Sequence, residues 1–304
     1  MQIMSLITAL PGAAAQGLIW GIMATGVYIT FRILDIADLT VDGTLCTGGA
    51  VCIMMMLSGH NVWVSMLVAT GAGLLAGLAT GIFHTFMGIP AILAGILTQL
   101  SLYSVNLKIM GKANQAINVD KFNLLVSLRR VKGVALTQNT LFIVAIMIII
   151  LIAVLYWFFG TELGCSLRAT GCNPSMSRAQ GINTDRNKVL GLMLSNGLVA
   201  LSGALLTQYQ GFADINMGRG SIVIGLAAVI IGEAIFSRIF RNFALKLLSV
   251  VFGSILYYLV LQIVIWMGID TDLLKMLSAL VVAFFLAFPY WKGKYFTKAK
   301  QGGK

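Results

Sequence analysis

Charged residues are scarce in this 304-residue sequence. Only 10% of the residues are Asp, Glu, Lys or Arg, whereas 59% are hydrophobic, and the mean hydropathy is +0.93. A water-soluble domain carries roughly 25% charged residues, because its surface must be solvated. This shortage excludes an ordinary soluble fold and predicts that much of the protein surface faces lipid.

Residues for catalysis and metal binding are also sparse. His60 and His84 stand apart, and the four cysteines show no spacing typical of a zinc site or a disulfide framework. The Gly-x-x-x-x-Gly-Lys-Ser/Thr motif is missing, so we expect no ATP site, cofactor, metal or catalytic residue in this chain. The first basic residue is Arg32, which argues against a cleavable signal peptide.

Long apolar segments dominate what is present. A helix that crosses about 30 Å of hydrocarbon needs roughly 20 mostly apolar residues. Nine segments meet or approach that length: 16–34, 45–57, 62–87, 90–110, 140–159, 189–208, 221–236, 243–267 and 273–290. The second and the seventh are short, so we expect an all-α protein with about nine (eight to ten) membrane-spanning helices, in one domain over residues 1–304.

Basic residues give the chain a net charge of +11, but they are scattered between the apolar segments. This pattern favours membrane orientation over nucleic-acid binding. With nine spans, the basic residues at 168–188, at 238–246 and in the tail 291–304 share one side. We assign that side to the cytoplasm, which places the C-terminus inside and the N-terminus outside. The outer loop 111–138 is also basic, and its stretch 122–131 is predicted to be an interfacial helix.

Two polar, glycine-containing turns, 37–44 and 213–221, each precede a short apolar segment. Five spans separate them, so they would belong to inverted repeats, which many transporters use to build a central pathway. The acids in the first turn either cap the following helix or line that pathway. Glu233 is expected to form an interfacial ion pair with Arg238 or Arg241.

Polar residues of these turns and the neighbouring spans are candidates for a translocation pathway, although each could instead bond to its own helix backbone. The candidates are Asp38, Thr40, Asp42, Thr44, Thr47, Gln99, Asn216 and Ser221, with Thr98 and Ser101 beside them.

The polar loop at about 161–188 contains helix-end signals. Asn173 suits an N-cap, Pro174 suits the first helical position and Gly181 suits a C-terminal stop. They predict a two-turn helix over 174–180 that is too short and polar to cross the membrane. From these residues alone, a surface helix with a function and an ordinary connector remain equally open.

This loop resembles a known motif. Within residues 170–186, a Gly-x-Asn sequence is followed after seven residues by Gly-Ile-Asn. This pattern is similar to the loop of ABC-importer permeases for branched-chain amino acids and ribose-type sugars. Residues 38–43, 90–95, 197–206 and 211–214 extend the resemblance, which is nearest to permeases for tryptophan, tyrosine or other small amino acids. The stretch after 231 departs from it, because the usual Gly-Gly turn is absent.

The resemblance implies a permease fold in a bacterial cell membrane, with inverted repeats, broken helices and a cytoplasmic coupling helix. It implies a second permease copy, ABC ATPase subunits that bind ATP and Mg, and an extracellular or lipid-anchored solute-binding protein as partners. The alternative is an ion-coupled secondary transporter. The ATPase-coupling positions that match the motif or adjoin it are Gly171, Asn173, Pro174, Ala179, Gly181, Ile182, Asn183 and Arg186.

Overall fold

The computed structural model describes residues 2–119, 121–122, 124–131, 139–236 and 242–268, with 273, 276, 279–284 and 287. Its α-helices are α1 (Gln2–Tyr28), α2 (Val41–Leu57), α3 (Val62–Thr85), α4 (Ala91–Met110), α5 (Thr140–Gly160), α6 (Glu162–Cys172), α7 (Pro174–Ala179), α8 (Thr184–Gln210), α9 (Ser221–Phe236) and α10 (Phe243–Trp266). A π-helical turn, Ile29–Ile33, continues α1, and a two-stranded ribbon joins β1 (Asn114–Ala116) to β2 (Phe212–Asp214).

Six of these helices are long and apolar enough to cross a membrane, namely those at Thr8–Ile33, Val62–Thr85, Ala91–Met110, Thr140–Gly160, Thr184–Gln210 and Phe243–Trp266. The predicted multi-pass helical fold is therefore confirmed. The predicted short segments form α2 and α9. The ninth segment, 273–290, and the basic tail 291–304 lie largely or wholly outside the described residues.

Helix α8 lies at the centre of the bundle and packs against α1, α2 and α3. Glycines on α3 allow close approach: a side chain at Gly77 would overlap the Leu192 carbonyl, and one at Gly73 would overlap Asn196. Small residues let helix backbones approach closely, and such packing drives helix association in lipid. The order of these contacts shows that α3 runs antiparallel to α8.

Helix α2 starts inside the membrane. It runs parallel to α8, because Thr44 contacts Asn196 and Gly48 contacts Ala200. Asn196 lies twelve residues after the start of α8, which is about 18 Å at 1.5 Å per residue. The loop that precedes α2 therefore reaches into the hydrocarbon region.

Helix α9 starts beside α2 and runs the opposite way. Ser221 contacts Asp42 in the first turn of α2, whereas Glu233 pairs with Arg32 near the end of α1. Helix α1 is itself antiparallel to α8, since Ser195 and Tyr209 contact its Gly26 and Gly12. Helices α2 and α9, which we call the two half-helices, thus each run from mid-membrane to a different surface.

The two surfaces are marked by different elements. The β1–β2 ribbon, with Asn114 opposite Asp214, follows α4 and α8 on one side, which we name the ribbon face. Helix α7 precedes α8 and therefore lies at its other end, about 40 Å away for 27 helical residues. We name that side the α7 face.

The predicted interfacial helix at 122–131 is wrong for the described residues. Only Leu128–Val131 is helical, as a single 3-10 turn. The spacing of apolar residues has another cause: the loop residues Leu124 and Val126 are themselves buried, and the Leu125 N–H donates to Gln208 Oε1 at 3.2 Å. The loop covers the end of α8 instead of lying along lipid.

Candidate translocation and coupling sites

Helix α7 is the short surface helix predicted from the sequence. Asn173 is its N-cap and accepts from the Met176 N–H at 3.0 Å, while Pro174 occupies its first turn. The helix ends at Ala179, one residue earlier than predicted, and Gly181 follows with a φ of +79°. That left-handed conformation suits glycine, which has no Cβ to clash.

The turn after α7 is fixed by its own hydrogen bonds. Ile182 N–H donates to the Ser177 carbonyl at 3.0 Å, and Arg178 Nε donates to Thr184 Oγ1 at 2.9 Å. Asn183 caps α8 by accepting from the Arg186 N–H at 3.0 Å. Residues 184–188, which the sequence assigned to the loop, therefore belong to α8.

A second short helix, α6, precedes α7 and was not predicted. Thr161 caps it by accepting from the Gly164 N–H at 3.3 Å. On its inner side, Thr170 accepts from Asn187 Nδ2 at 2.9 Å. Gly171 packs directly against the backbone of Ile33, where the π-helical turn of α1 ends. The α6–α7 unit is thus attached to both α8 and α1.

Most predicted coupling residues are accessible at the α7 face. Gly171 and Ile182 are half-buried, and the exposed ones are Asn173, Pro174, Ala179, Gly181, Asn183 and Arg186. The structure adds Met176, whose side chain is 62% exposed in the middle of α7. An exposed methionine on a rigid helix offers an adaptable apolar contact for a partner. The sequence signal for Met176 as a contact residue was its position within the predicted helix.

Asp42 joins the two half-helices. Its Oδ1 accepts from Ser221 Oγ and from the Ile222 N–H, both at 2.9 Å, and its Oδ2 accepts from the Gly220 N–H at 2.9 Å. A carboxylate at the uncovered N–H groups of a helix start is favourable. Asp42 therefore caps α9, although it lies in the first turn of α2.

Asp38 is buried and fully hydrogen-bonded. It accepts from the Thr40 N–H at 2.9 Å and from Asn196 Nδ2 at 2.7 Å. Asn196 Oδ1 in turn accepts from Thr44 Oγ1 at 2.7 Å. These bonds fix the start of α2 against α8. The sequence left capping and pathway lining open for Asp38; the structure places its carboxylate just before α2, bonded to the Thr40 N–H and to Asn196.

Three threonines form a hydroxyl chain between α2, α3 and α4. Thr80 Oγ1 is 2.7 Å from Thr40 Oγ1 and 2.9 Å from Thr98 Oγ1. Thr47 donates to the Gly43 carbonyl of its own helix at 3.0 Å. Like Thr44 and Ser221, these residues are buried, and their contacts hold helices together. Their place on a translocation pathway stays a prediction.

Two of the predicted pathway residues, Asp42 and Gln99, line a cavity of about 250 Å³ beside α4. Asn216 is exposed in the turn after β2, and Ser101 is exposed on α4, where its hydroxyl bonds to its own helix at Leu97. The complete lining is Asp42, Gly43, Cys46, Gln99, Leu100, Tyr103, Asn106, Ile215 and Arg219.

Three polar residues of this cavity were not predicted from the sequence, namely Asn106, Arg219 and Tyr103. Asn106 is 1% exposed; its Nδ2 donates to the Gly43 carbonyl at 3.4 Å, and its Oδ1 has no hydrogen-bond partner. Arg219 lies two residues before the start of α9, the helix that Asp42 caps. Tyr103 is 43% exposed on α4. Tyr103 and Asn106 stand in a mostly apolar span, and Arg219 lies in the polar turn 213–221; these positions were the available signal.

Glu233 forms an ion pair, and the partner that the described residues show for it is Arg32. Arg238 and Arg241 lie outside the described residues, whereas Arg32 Nε donates to Glu233 Oε1 at 2.9 Å. The pair links the end of α1 to α9. Both side chains are partly exposed, 59% and 31%, so the pair contributes little stability.

A multi-pass helical protein whose broken helices meet at a polar cavity within the membrane is, by class, a membrane transport protein. The comparisons narrow this class. The chain belongs to the family described as branched-chain amino acid transport system / permease component, which it matches over residues 10–286. This is a family of ABC-importer permeases, as the motif at 170–186 suggested, and its members are transporters and not enzymes.

Similar proteins cover most of the chain. A tyrosine transport system permease protein of Clostridioides difficile (strain R20291) is 38% identical over 272 residues, which are 90% of this chain and 88% of that protein. An uncharacterized protein of Rickettsia prowazekii is 38% identical over 91% of this chain and 95% of its own length. A fructose import permease protein of Bifidobacterium longum is 26% identical over 86% and 71%. No solved structure gave a significant match.

Proposed function

We propose that this chain is the membrane permease subunit of an ATP-driven importer for a small solute, an aromatic or branched-chain amino acid, and that two copies enclose the solute pathway between them. The observation that carries the proposal is the cavity at the start of α9, whose largely apolar lining includes two oppositely charged side chains. Asp42 and Arg219 line it at membrane depth, and it opens on the exposed side of α4. A charged side chain facing hydrocarbon is costly, so this side needs a cover other than lipid.

A second copy of the chain fits this requirement. Helix α4 exposes Ser101 and Ser104 on the same helix as Gln99, and most of its apolar surface is also uncovered. Two such sides facing each other would enclose a polar passage lined by both copies. The opposite directions of α2 and α9 support an inverted repeat, in which residues 37–44 and 213–221 occupy equivalent places.

Helix α7 is proposed to dock in a cleft of a separate ATPase subunit, which binds ATP and Mg. A displacement of α7 reaches the pathway through few contacts. Gly171 touches Ile33, the following loop leads to Asp38, and Asp38 holds the start of α2. Two-state repacking of such rigid elements is a common way to transmit movement.

The α7 face would then be cytoplasmic, in agreement with the basic residues assigned to that side, and the C-terminus would also be inside. The ribbon face would receive solute from an extracellular or lipid-anchored binding protein. The name of the Clostridioides difficile relative favours an amino acid. Related permeases are named for fructose and for autoinducer 2, so sugar-like solutes are the alternative.

Co-purification tests the coupling part of this proposal. Tagged protein is extracted from its native membrane in mild detergent, and the bound ATPase is quantified by mass spectrometry. We expect Met176→Asp to reduce the retained ATPase at least tenfold, because a carboxylate would be placed in an apolar contact. Met267→Asp is the control, since Met267 is 67% exposed on the opposite face. Equal ATPase retention by wild type and Met176→Asp would contradict the docking role of α7.

A further inference from the structure

We infer that the α4 cavity recognises the charged head of a free α-amino acid, with Arg219 binding its carboxylate and Asn106 accepting from its ammonium group. This inference rests on the proposed function and deepens it, because it assigns the chemical class of the solute to residues of this chain. It is carried by three features of the cavity: two opposite charges, an unpaired buried acceptor and a mixed lining.

The two charges share the cavity without pairing with each other. In the described part of the chain, the one ion pair within 4.0 Å is Arg32–Glu233, so Asp42 and Arg219 stand further apart than that. The Arg219 side chain makes no hydrogen bond to the described residues. A guanidinium presents several N–H groups in a fork that matches a carboxylate. A zwitterion supplies a carboxylate for this fork and an ammonium group for the opposite side.

Asn106 provides the second feature. Its amide is oriented by the bond from Nδ2 to the Gly43 carbonyl, which leaves Oδ1 as a buried acceptor without a donor. Buried polar atoms of this kind are rare in folded proteins, and each one calls for an explanation. An ammonium group has three donors and no acceptor, so it would satisfy Asn106 Oδ1 once the side chains that cover this atom move aside.

Asp42 adds charge but little binding capacity. A carboxylate offers about four lone-pair sites, and three are occupied by the bonds to residues 220–222. Its negative charge still favours a cation nearby, and one site remains open. Binding should therefore be weak, as suits a passage from which the solute must leave.

The remaining lining separates solute classes. Leu100 and Ile215 are apolar, while Gln99 and Tyr103 can bond to a polar group. A neutral sugar cannot form an ion pair with Arg219. An amine without a carboxylate cannot either, and a carboxylic acid without an ammonium group leaves Asn106 unsatisfied. The site should thus require both charges of the amino acid head while accepting various side chains.

Ligand-induced stabilisation of the intact protein in lipid nanodiscs tests this inference. The probes are L-tyrosine, tyramine, 3-(4-hydroxyphenyl)propionate and D-ribose. We expect L-tyrosine alone to raise the melting temperature at millimolar concentration. Arg219→Gln and Asn106→Leu should each raise the half-saturating concentration about tenfold, the loss of one charge-assisted hydrogen bond. Arg219→Lys should restore part of the response.

Lys108→Gln is the matched control, because Lys108 is an exposed cation on the same helix that does not line the cavity. Equal stabilisation by L-tyrosine and tyramine, or an unchanged response of Arg219→Gln, would overturn the inference. So would stabilisation by D-ribose instead of L-tyrosine. In each case, retention of the ATPase by the same preparation would leave the proposed function standing, whereas its loss from wild type would remove the proposed function itself.

Discussion

Removal of the Asp42 carboxylate should destabilise the contact between the two half-helices. In Asp42→Ala, the N–H groups of Gly220 and Ile222 and the Ser221 hydroxyl lose their acceptor together. An unsatisfied buried polar group costs about 1–3 kcal/mol. The nearby cavity lets water reach part of the site, so we use the lower end and expect a total of about 3 kcal/mol. For a chain of this length, that corresponds to a fall of roughly 6 °C in melting temperature.

The assay is thermal unfolding of the purified protein in detergent, followed by tryptophan fluorescence. Asp42→Asn keeps one carboxamide oxygen as an acceptor and should lose about half as much stability. Asp185→Ala is the control, because Asp185 also lies in the first turn of a spanning helix but is exposed at the α7 face. The capping of α9 by Asp42 would be refuted if the melting temperatures of Asp42→Ala and Asp185→Ala differed by less than about 2 °C.

Two further pairs of substitutions, each a test with its control, examine the packing around α3 by the same assay. Gly77→Leu should cost about 3 kcal/mol, because its side chain meets a backbone carbonyl of α8 that cannot move aside. Gly71→Leu should be neutral or slightly stabilising, since nothing lies within 4 Å of that position; equal effects of the two would contradict the packing. Thr80→Val should cost about 1–2 kcal/mol by breaking the hydroxyl chain. Thr70→Val removes only a bond within its own helix and should change stability little. A larger loss of stability in Thr70→Val than in Thr80→Val would exclude a structural role for the three-threonine hydroxyl chain.

Features with local determinants could be predicted from the sequence. Asn173, Pro174 and Gly181 lie within nine residues, and cap chemistry requires no distant partner, so α7 was predicted within one residue. The apolar segments were predictable for the same reason. Helix α6 was missed although Thr161 and Glu162 form a helix-start signal, because its apolar side is short and the segment reads as a polar loop.

Features with distant partners could not be predicted. Nothing local shows that Asp42 caps a helix 178 residues later, or that Asp38 bonds to a residue 158 positions away. The sequence could identify both as acids near a helix start, but not the helix that each one serves. Asn106 was missed because its importance comes from the cavity around it. The segment 122–131 was wrongly predicted as a helix for a related reason: its buried loop residues are spaced in a way that also fits a helix.

The partnership of Asp38 with Asn196 also sets an order of events during biosynthesis. A ribosome adds roughly 5–20 residues each second, so about 8–30 s pass between translation of the aspartate and of its asparagine. During that interval the Asp38 carboxylate can bond to the nearby Thr40 N–H but lacks the donor from Asn196. It must remain in water or against the insertion machinery until α8 emerges. The first half of this protein therefore cannot complete its fold before α8, which lies in the second half, has been made.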